Sequence, residues 1–505
     1  MKTHTEVELK FLVPAGSRAA LAAEMGRSSG NLQRISLAAM YLDTPERRLA
    51  RAGIAWRLRR EGRRWVQTLK TGGAGALARF EHEVIRPDAT HDAHEHAGTP
   101  AGDRLIALVR KAEDRGADVG VRFRTEVRRT ARRVRTQGAV VEVAFDEGRL
   151  VAGEAIARIR EVEFELVSGS VTSMLALAER WRKRFGLILD PRSKAERGDR
   201  LAQGTPHPPL RKGQVPDYPT DASAAQAFAA VLDECLAHIT HNAIGLAEGD
   251  PALQVEQVHQ VRVGIRRLRS ALRSFQGWTP APPPALVDGL RTLFGTLGES
   301  RDSAVLDSGV AAALAKAGAP PLEMRAAGEA HDPQQVIREA DAQRLLLAWI
   351  AWRAALDETH DAAGAAPAGD TAPADEPPLR RRAEKRLTRW HARIAARSEI
   401  FEQLGEPAIH DLRKRIKRQR YALEFFAPLL PARQLARYLK SLAAIQDRMG
   451  ELNDLFVARD RYQELLAADP AAWFALGWLA ARIAELRARA GSELARLAKA
   501  RLPIR

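Results

Sequence analysis

The chain has little of several things that would commit a protein to a particular setting. Its 505 residues include one cysteine, Cys235, which excludes an intrachain disulfide framework and a cysteine-rich zinc site and makes no demand on an oxidising compartment. No run of 18 or more apolar residues occurs, and even Leu345–Ile350 is flanked by Arg344 and Arg353, so a soluble, cytoplasmic protein is expected. Aromatic residues are only 6% of the chain, and few of them interleave basic positions, so nucleic acid is not the favoured partner. Neither a G-x-x-x-x-G-K-[ST] loop nor a G-x-G-x-x-G following a strand is present, which leaves P-loop and dinucleotide-binding folds without support.

Positive charge, by contrast, is abundant. Lys plus Arg number 79 against 63 Asp plus Glu, a formal +16, which favours an anionic partner. Residues 1–205 hold 38 bases and 27 acids, leaving 41 and 36 for the remainder. The second half is nearly balanced, so an anion site there must arise by sorting charges onto faces.

The chain divides at a crowd of prolines. Pro206, Pro208, Pro209, Pro216 and Pro219 can neither continue a helix nor donate to a sheet ladder, so 206–220 reads as a linker between an N-terminal domain, 1–205, and a C-terminal domain, 221–505. The first is β-rich by its period-two patterning, with helices expected around Ser17–Met25 and Val171–Phe185 and a third around Gly102–Asp114. The second has the 3.6-residue apolar spacing of an all-helical domain. Within it DAAGAAPAGDTAPADEPP, from Asp361 to Pro378, lacks bulky apolar residues and reads as a flexible connector between halves at about 221–360 and 379–505.

Those halves repeat each other. HQVRVGIRRLRSALRSF from His259 and HDLRKRIKRQRYALEFF from His410 agree at eight of seventeen positions, and a G-E-x-x-D segment follows each, ending at Asp302 and Asp454, offsets of 43 and 44 residues. Matched long-range spacing implies an internal duplication into pseudo-equivalent helical units.

In the N-terminal half, Glu6, Glu8 and Lys10 alternate with Val7, Leu9 and Phe11, and strand geometry sends the two sets to opposite faces. The pattern recurs with Arg57 and Arg59 against Trp56 and Leu58, Arg122 and Arg124 against Val121 and Phe123, and Glu161, Glu163 and Glu165 against Val162, Phe164 and Leu166. An ordinary solvated face tolerates Ser, Thr and Gln, whereas this one is almost restricted to Glu, Arg and Lys. If the strands close with that face inward, acids and bases line a wet tunnel. Such a lining suits triphosphate: bases meet its negative charges, and clustered carboxylates suit Mg²⁺ or Mn²⁺.

EVELK at 6–10, WRLRR from Trp56, TLK ending at Lys70, FEHEV from Phe80, FDEG from Phe145, REVEFEL from Arg160 and SKAERG from Ser193 together resemble the CYTH superfamily, the triphosphate tunnel metalloenzymes. The resemblance implies an eight-stranded antiparallel β tunnel barrel that hydrolyses inorganic triphosphate or, in other members, handles thiamine triphosphate or ATP. It implies metal ligands among Glu6, Glu8, Asp146, Glu161, Glu163 and Glu165, and phosphate-binding, catalytic bases at Lys10, Arg57, Arg59, Lys70, Arg122, Arg124 and Lys194. For Glu81 and Glu83 the alternative stays open that FEHEV simply positions neighbouring bases through salt bridges.

In the helical half, steps of three and four residues place His259, Arg262, Arg266, Arg269 and Arg273 on one stripe, repeated by His410, Arg413, Lys417 and Arg420. Val261, Ile265, Leu268, Leu272 and Phe275 form a separate apolar stripe, mirrored by Leu412, Ile416, Leu423 and Phe426, with Gln419 as the exception. Unrelieved like charge along a helix costs a few tenths of a kcal/mol per pair, a repulsion that a bound polyanion turns into affinity. The doubled H-x-x-R-x-x-x-R/K-R-x-R resembles the CHAD family of conserved-histidine helical domains. That resemblance implies an all-α pair of four-helix bundles with a two-fold internal repeat and a basic groove binding inorganic polyphosphate through these residues and Lys414. For Arg267 and Arg418 a structural salt bridge is equally open. Arg382, Arg386, Arg389, Arg393 and Arg397 make a further basic stripe, solvated or widening the groove, and Asp302 and Asp454 are expected to orient the bases.

The expected protein is thus an α+β multidomain triphosphatase, divalent-metal dependent, that also binds polyphosphate and associates with polyphosphate granules. The alternative is a non-catalytic granule-binding protein with an inactive tunnel.

Overall fold

The computed structural model describes residues 2–27, 31–72, 77–320, 331–364, 377–467 and 469–504, with the side chains of 2–4, 299–308 and 360–364 outside that description. Part of the expected connector, 365–376, and the side chain of Asp302 therefore lie outside the described residues. No helix among those described is long and apolar enough to cross a membrane.

The N-terminal strands are β1 (Lys2–Leu12), β2 (Gln33–Asp43), β3 (Ile54–Glu61), β4 (Arg64–Gly72), β5 (Ala78–Arg86), β6 (Gly120–Thr136), β7 (Ala139–Ala152), β8 (Ala155–Gly169) and the two-residue β9 (Ile188–Leu189). They hydrogen-bond in the order β5-β4-β3-β2-β6-β7-β8-β1, and β1 closes back onto β5. All these pairings are antiparallel, so the first eight strands form the expected closed antiparallel barrel. Between the strands lie α1 (Arg18–Gly26), α2 (Arg48–Arg51), α3 (Pro100–Glu113), α4 (Val171–Phe185) and α5 (Lys194–Ala202). Three of these fall where the apolar spacing places helices; α2 is too short to show a period, and α5, KAERGDRLA, has too few bulky apolar residues to show one.

Register turns the alternation of residue types into an inverted barrel. Glu8 sits opposite Glu165, which sits opposite Glu142, while Lys10 sits opposite Glu163. Lys70 sits opposite Glu81, and Arg57 opposite Thr68 and Tyr41. Partners across a ladder point to the same face, so these charged side chains share the interior. The apolar alternates point outward and are covered by helices. Phe164 meets Phe11 and Trp181 of α4 edge-on at 5.8 Å each, and Leu42, Trp56 and Leu69 pack with Leu105 and Val109 of α3.

One end of the interior is apolar instead. Tyr41 and Phe123 stack with ring centroids 4.5 Å apart, and Leu150, Ile159 and Leu201 of α5 complete the cluster. α5 reaches this depth because residue 198 is glycine: a Cβ there would stand 2.1 Å from the Phe123 ring. Its first turn is capped by the Ser193 hydroxyl, which accepts from the Glu196 N–H at 3.1 Å. Arg47, with φ 60°, ties the helix down through a bidentate pair with Asp199 at 2.9 and 2.6 Å.

No regular element lies between α5 and α6. The regular elements of the remaining described residues are helices: α6 (Ala224–Glu248), α7 (Gln254–Phe275), α8 (Pro284–Lys316), α9 (Pro333–Arg338), α10 (Ala340–Gly364), α11 (Leu379–Glu399), α12 (Glu406–Phe425), α13 (Ala432–Leu465) and α14 (Ala472–Ala498). By contact the chain forms two compact units, one of 1–212, 236–261 and 334–367, the other of 213–235, 262–333 and 368–505. In the first, Glu358 of α10 accepts from the Ser170 and Thr172 hydroxyls at the start of α4, at 2.9 and 2.7 Å. In the second, α11 and α13 each pack on both α12 and α14, a closed ring of four helices. Gln419, the polar break in the apolar stripe, is buried and donates to the Leu387 carbonyl at 3.1 Å.

Beneath α3 the barrel exterior holds a fully buried histidine pair. Gln67 Nε2 lies 3.0 Å from His96 Nε2, and His96 Nδ1 lies 2.7 Å from His82 Nδ1. The Gln67 amide is oriented by Asp92, whose N–H donates to Oε1 and whose carbonyl accepts from Nε2. His96 therefore accepts at Nε2 and donates from Nδ1, and both rings are neutral. Burial pushes His96 down to about 4. The unfolded chain takes up a proton below about pH 6.5 and the folded one does not, so stability is lost as pH falls from about 6.5 to 4, by on the order of 2–3 kcal/mol. In His96→Gln, urea midpoints across this range should flatten; an acid limb as steep as that of the unsubstituted protein would refute the assignment.

Candidate active site

Within the barrel, carboxylates and cations are matched nearly one against another. Lys194 Nζ lies 2.7 Å from Asp146, 2.5 Å from Glu161 and 2.8 Å from Glu163. Arg129 forks onto Asp146 at 2.8 and 2.7 Å and reaches Glu163 at 2.5 Å, and Arg197 meets Glu161 at 2.6 Å. Glu161 Oε1 has no partner in good hydrogen-bonding geometry despite its closeness to Lys194, so that contact is chiefly coulombic. Burial alone would raise the Asp146 and Glu163 carboxyls, but Arg129 and Lys194 hold both below the usual carboxylate range. Burial would likewise lower Lys194, and the three carboxylates drive it well upward instead.

On the opposite wall, Lys70 bridges Glu6 at 2.6 Å and Glu81 at 3.1 Å, and Arg79 meets Glu8 at 2.6 Å. Arg57 lies 3.5 Å from Glu81 and 3.9 Å from Glu83, and Arg59 lies 3.4 Å from Glu83 and also pairs with Glu61. Lys10 donates to the Arg192 carbonyl. That carbonyl belongs to a turn locked by the buried pair Arg192–Asp190, at 2.8 and 2.9 Å, and by Glu248 of α6 at 3.2 Å. Glu165 has mainly acids for company: burial, then Glu6 and Glu142, push it up to about 8, so it carries a proton at neutral pH.

The barrel thus brings together Glu6, Glu8, Lys10, Arg57, Arg59, Lys70, Asp146, Glu161, Glu163, Glu165 and Lys194 of the expected site. It does not bring Arg124, which is exposed on the outer face opposite Val151, because Phe123 takes the inward position against Tyr41. Arg122 is the residue skipped where the β2–β6 register shifts between Tyr41 and Leu42, and it is half-buried. Sequence reasoning passed over Arg79, Arg129, Arg197 and Glu142. Arg79 is in phase with Glu81 and Glu83, and Arg197 lies one turn beyond Lys194 on a helix announced by the S-x-x-E of Ser193 and Glu196; both signals were there. Arg129 was hidden inside the basic run of β6.

Asp146, Glu161 and Glu163 offer carboxylate oxygens all within 4.8 Å of one another, a ligand chemistry and spacing that suit a hard divalent cation. Lys194 holds its ammonium within reach of all three and so stands where such an ion would compete. Glu165, protonated, is a poorer ligand.

In the second compact unit, the stripes of the two repeats come together. Burial, then Arg413 and Arg266, with Arg420 adding to them and Asp454 opposing, lower Lys417 to about 7. Arg413 is lowered by burial and by Arg266, against Asp454. The G-E-x-x-D glycine of each repeat faces a stripe arginine: a Cβ on Gly298 would lie 3.0 Å from the Arg262 guanidinium, a tight approach, and one on Gly450 3.5 Å from that of Arg413, an ordinary contact. Arg262 and Arg266 stack over Phe294, at 4.6 and 5.7 Å, and Arg269, half-buried, is lowered by burial, Arg291 and Arg273. Arg273 and Lys414 are exposed. Arg420 is held by Glu424 at 3.0 Å and Gln446 at 2.9 Å, and His410, exposed, meets Asn453 at 3.0 Å. Arg267 is buried, pairs with Glu424 and donates to the Gln214 carbonyl at 2.7 Å. His259, half-buried, belongs to the first compact unit.

Two family models match the chain, a CYTH domain over 4–198 and a CHAD domain over 230–463. An inorganic triphosphatase from Haemophilus influenzae is 31% identical over 169 residues, covering 33% of this chain and 46% of that enzyme, so the alignment spans less than half of the relative's length. Among solved structures, the CHAD domain of the plant Ricinus communis is 30% identical with a TM-score of 0.45, over 59% of this chain and 99% of that one. A Hippeastrum protein described with a dominant triphosphatase activity is 18% identical with a TM-score of 0.30, over 40% of this chain and 96% of that one. The chain is a CYTH–CHAD fusion, its barrel a CYTH domain and its helical region a CHAD domain.

Proposed function

We propose that the barrel interior hydrolyses inorganic triphosphate with the help of Mg²⁺ or Mn²⁺, and that the helical region binds inorganic polyphosphate. The observation that carries the first part is the meeting of Asp146, Glu161 and Glu163 around one cationic position inside a barrel otherwise rich in Arg and Lys. A divalent ion held by those carboxylates would neutralise charge on phosphate oxygens. The chain's own bases do the rest. Arg57, Arg59, Lys70 and Arg79 are paired to Glu6, Glu8, Glu81 and Glu83, contacts that an entering triphosphate exchanges for its own oxygens, so bases already oriented receive it. The turn Asp190–Arg192 keeps Lys10 in place. Triphosphate as substrate also accords with the name of the Haemophilus relative.

For the helical region the support is the convergence of Arg266, Arg413 and Lys417, crowded enough that Lys417 loses charge near neutrality. A cluster this costly suits a partner of repeated negative charge. Arg262, Arg269, Arg273, His410, Lys414 and Arg420 extend it along the two stripes. The cytoplasm and the surface of polyphosphate granules are the proposed location.

Phosphate release from tripolyphosphate by the full-length protein tests the enzymatic reading. Glu6→Ala and Glu161→Gln should each lower kcat/KM by about 10²-fold or more, whereas Arg124→Ala, altering an exterior residue, should change it less than about twofold. Absence of metal-dependent release from the unsubstituted protein would leave the non-catalytic, granule-binding alternative.

Binding of long polyphosphate, whose interior phosphates do not titrate near neutrality, should depend on pH through Lys417. Below about 7 the ammonium is charged before the anion arrives; above it, binding must take up a proton. Affinity should fall as pH rises from 7 to 9, by at most about tenfold per unit, and Lys417→Arg should remove most of that slope. A pH-independent affinity in the unsubstituted protein would contradict this.

A further inference from the structure

The barrel carries a second concentration of arginine, on its outside. Two adjacent cross-strand rows define it. In one, Arg60 of β3 sits opposite Ala38, Ala38 opposite Glu126, Glu126 opposite Arg149, and Arg149 opposite Arg158. In the next, Ser36 sits opposite Arg128, Arg128 opposite Glu147, and Glu147 opposite Arg160. These positions alternate with Leu37, Val127, Asp146 and Ile159 and so face away from the tunnel. Ser36 and Ala38 leave a low floor between taller neighbours, and with Arg18 of α1 the rows enclose an open cavity of about 910 Å³.

The charges here do not cancel. Glu147 is engaged by Arg18 at 2.5 Å and Glu126 by Arg149 at 2.7 Å. Among the described residues, Arg60 and Arg160 donate to carbonyls, of Gly62 at 3.0 Å and Val13 at 2.6 Å, and form no ion pair closer than that. Arg149 and Arg158 stand directly opposite each other, an arrangement of like charges that destabilises a sheet. Arg160 is lowered by burial and then by Arg158 and Arg18, against Glu147. A surface needing only solubility would place acids or neutral residues here.

We propose that this exterior groove is a second anion site, separate from the tunnel, which binds an inorganic polyphosphate chain. Its guanidiniums are forks suited to phosphate oxygens. At about 4.8 Å between strands, the row from Arg60 to Arg158 crosses four strand intervals, roughly 19 Å, a length that takes an extended chain of several phosphates. No aromatic side chain lines the cavity, so it lacks the aromatic stacking platforms of single-strand binders, which favours phosphate without bases.

The test uses the full-length protein. Phenylglyoxal labelling read by mass spectrometry, with and without long-chain polyphosphate, should show slower modification of Arg128 and Arg158. In a background carrying Arg266→Ala and Lys417→Ala, which weakens the helical site, adding Arg128→Glu and Arg158→Glu should lower polyphosphate affinity by about tenfold at moderate salt and abolish protection at Arg60 and Arg160. Tripolyphosphate hydrolysis should be unaffected by these two exterior substitutions. Protection confined to the helical stripe would overturn the proposal. So would stronger protection by single-stranded RNA than by polyphosphate at equal phosphate concentration, because the occupant would then be nucleic acid. The labelling result does not depend on whether the tunnel is active, so failure of the enzymatic reading and failure of this one are told apart.

Discussion

The ammonium of Lys194, held by Asp146, Glu161 and Glu163, is the contact on which the barrel depends. Burying a lone charge costs several kcal/mol, and breaking a buried pair by removing one partner costs about 3–5 kcal/mol. An interior with this many carboxylates can exist only if cations enter it, and they arrive from more than the strands. Arg129 comes from β6, while Lys194 and Arg197 come from α5. That helix is positioned from the far end of the site, by the apolar cluster that Gly198 allows Leu201 to join and by Arg47 gripping Asp199. Packing in the apolar part of the barrel thus sets the electrostatics of the charged part beside it.

The same constraint bears on ligand entry. A network already neutral has little drive to attract a polyanion, yet in the proposed reaction its pairs would be exchanged for phosphate on one side and a divalent ion on the other. The helical region works on the contrary principle. Around Lys417 the cations are close and acids few, so the unliganded cluster is under repulsion that charge loss at one lysine relieves. One region stores its charges as pairs and the other as crowding, and the two should respond differently to pH and salt.

Much of this was legible in the sequence, because alternation in a strand is a strict geometric rule. Glu6, Glu8, Lys10, Arg57 and Arg59 could be assigned to one face without knowing the fold, and closure of the barrel made that face the interior. The repeat was legible too, and the nearly equal offsets of the G-E-x-x-D segments have a geometric counterpart: Gly298 faces the Arg262 guanidinium and Gly450 that of Arg413. The rule failed where register slips. Between Tyr41 and Leu42 the ladder skips Arg122, and period-two counting through that point put Arg124 on the wrong side. Arg129 escaped notice because in a run such as RRTARR, composition cannot say which arginine turns inward; pairing with Asp146 decides it.

An inverted barrel has a further consequence for its exterior. Its apolar alternates need cover, which α3 gives over β4 and α4 gives over β1, β6, β7 and β8. The outer face around Ser36, Arg128 and Arg158 lies beyond that cover and is exposed, so it has to be polar, and any polar residue would satisfy that demand. Exposure does not explain why six arginines gather over a floor of Ser36 and Ala38, nor why Arg149 is set opposite Arg158. Solvation asks only that a face be wet; an excess of one sign, held in register across five strands, asks for a partner of the other sign.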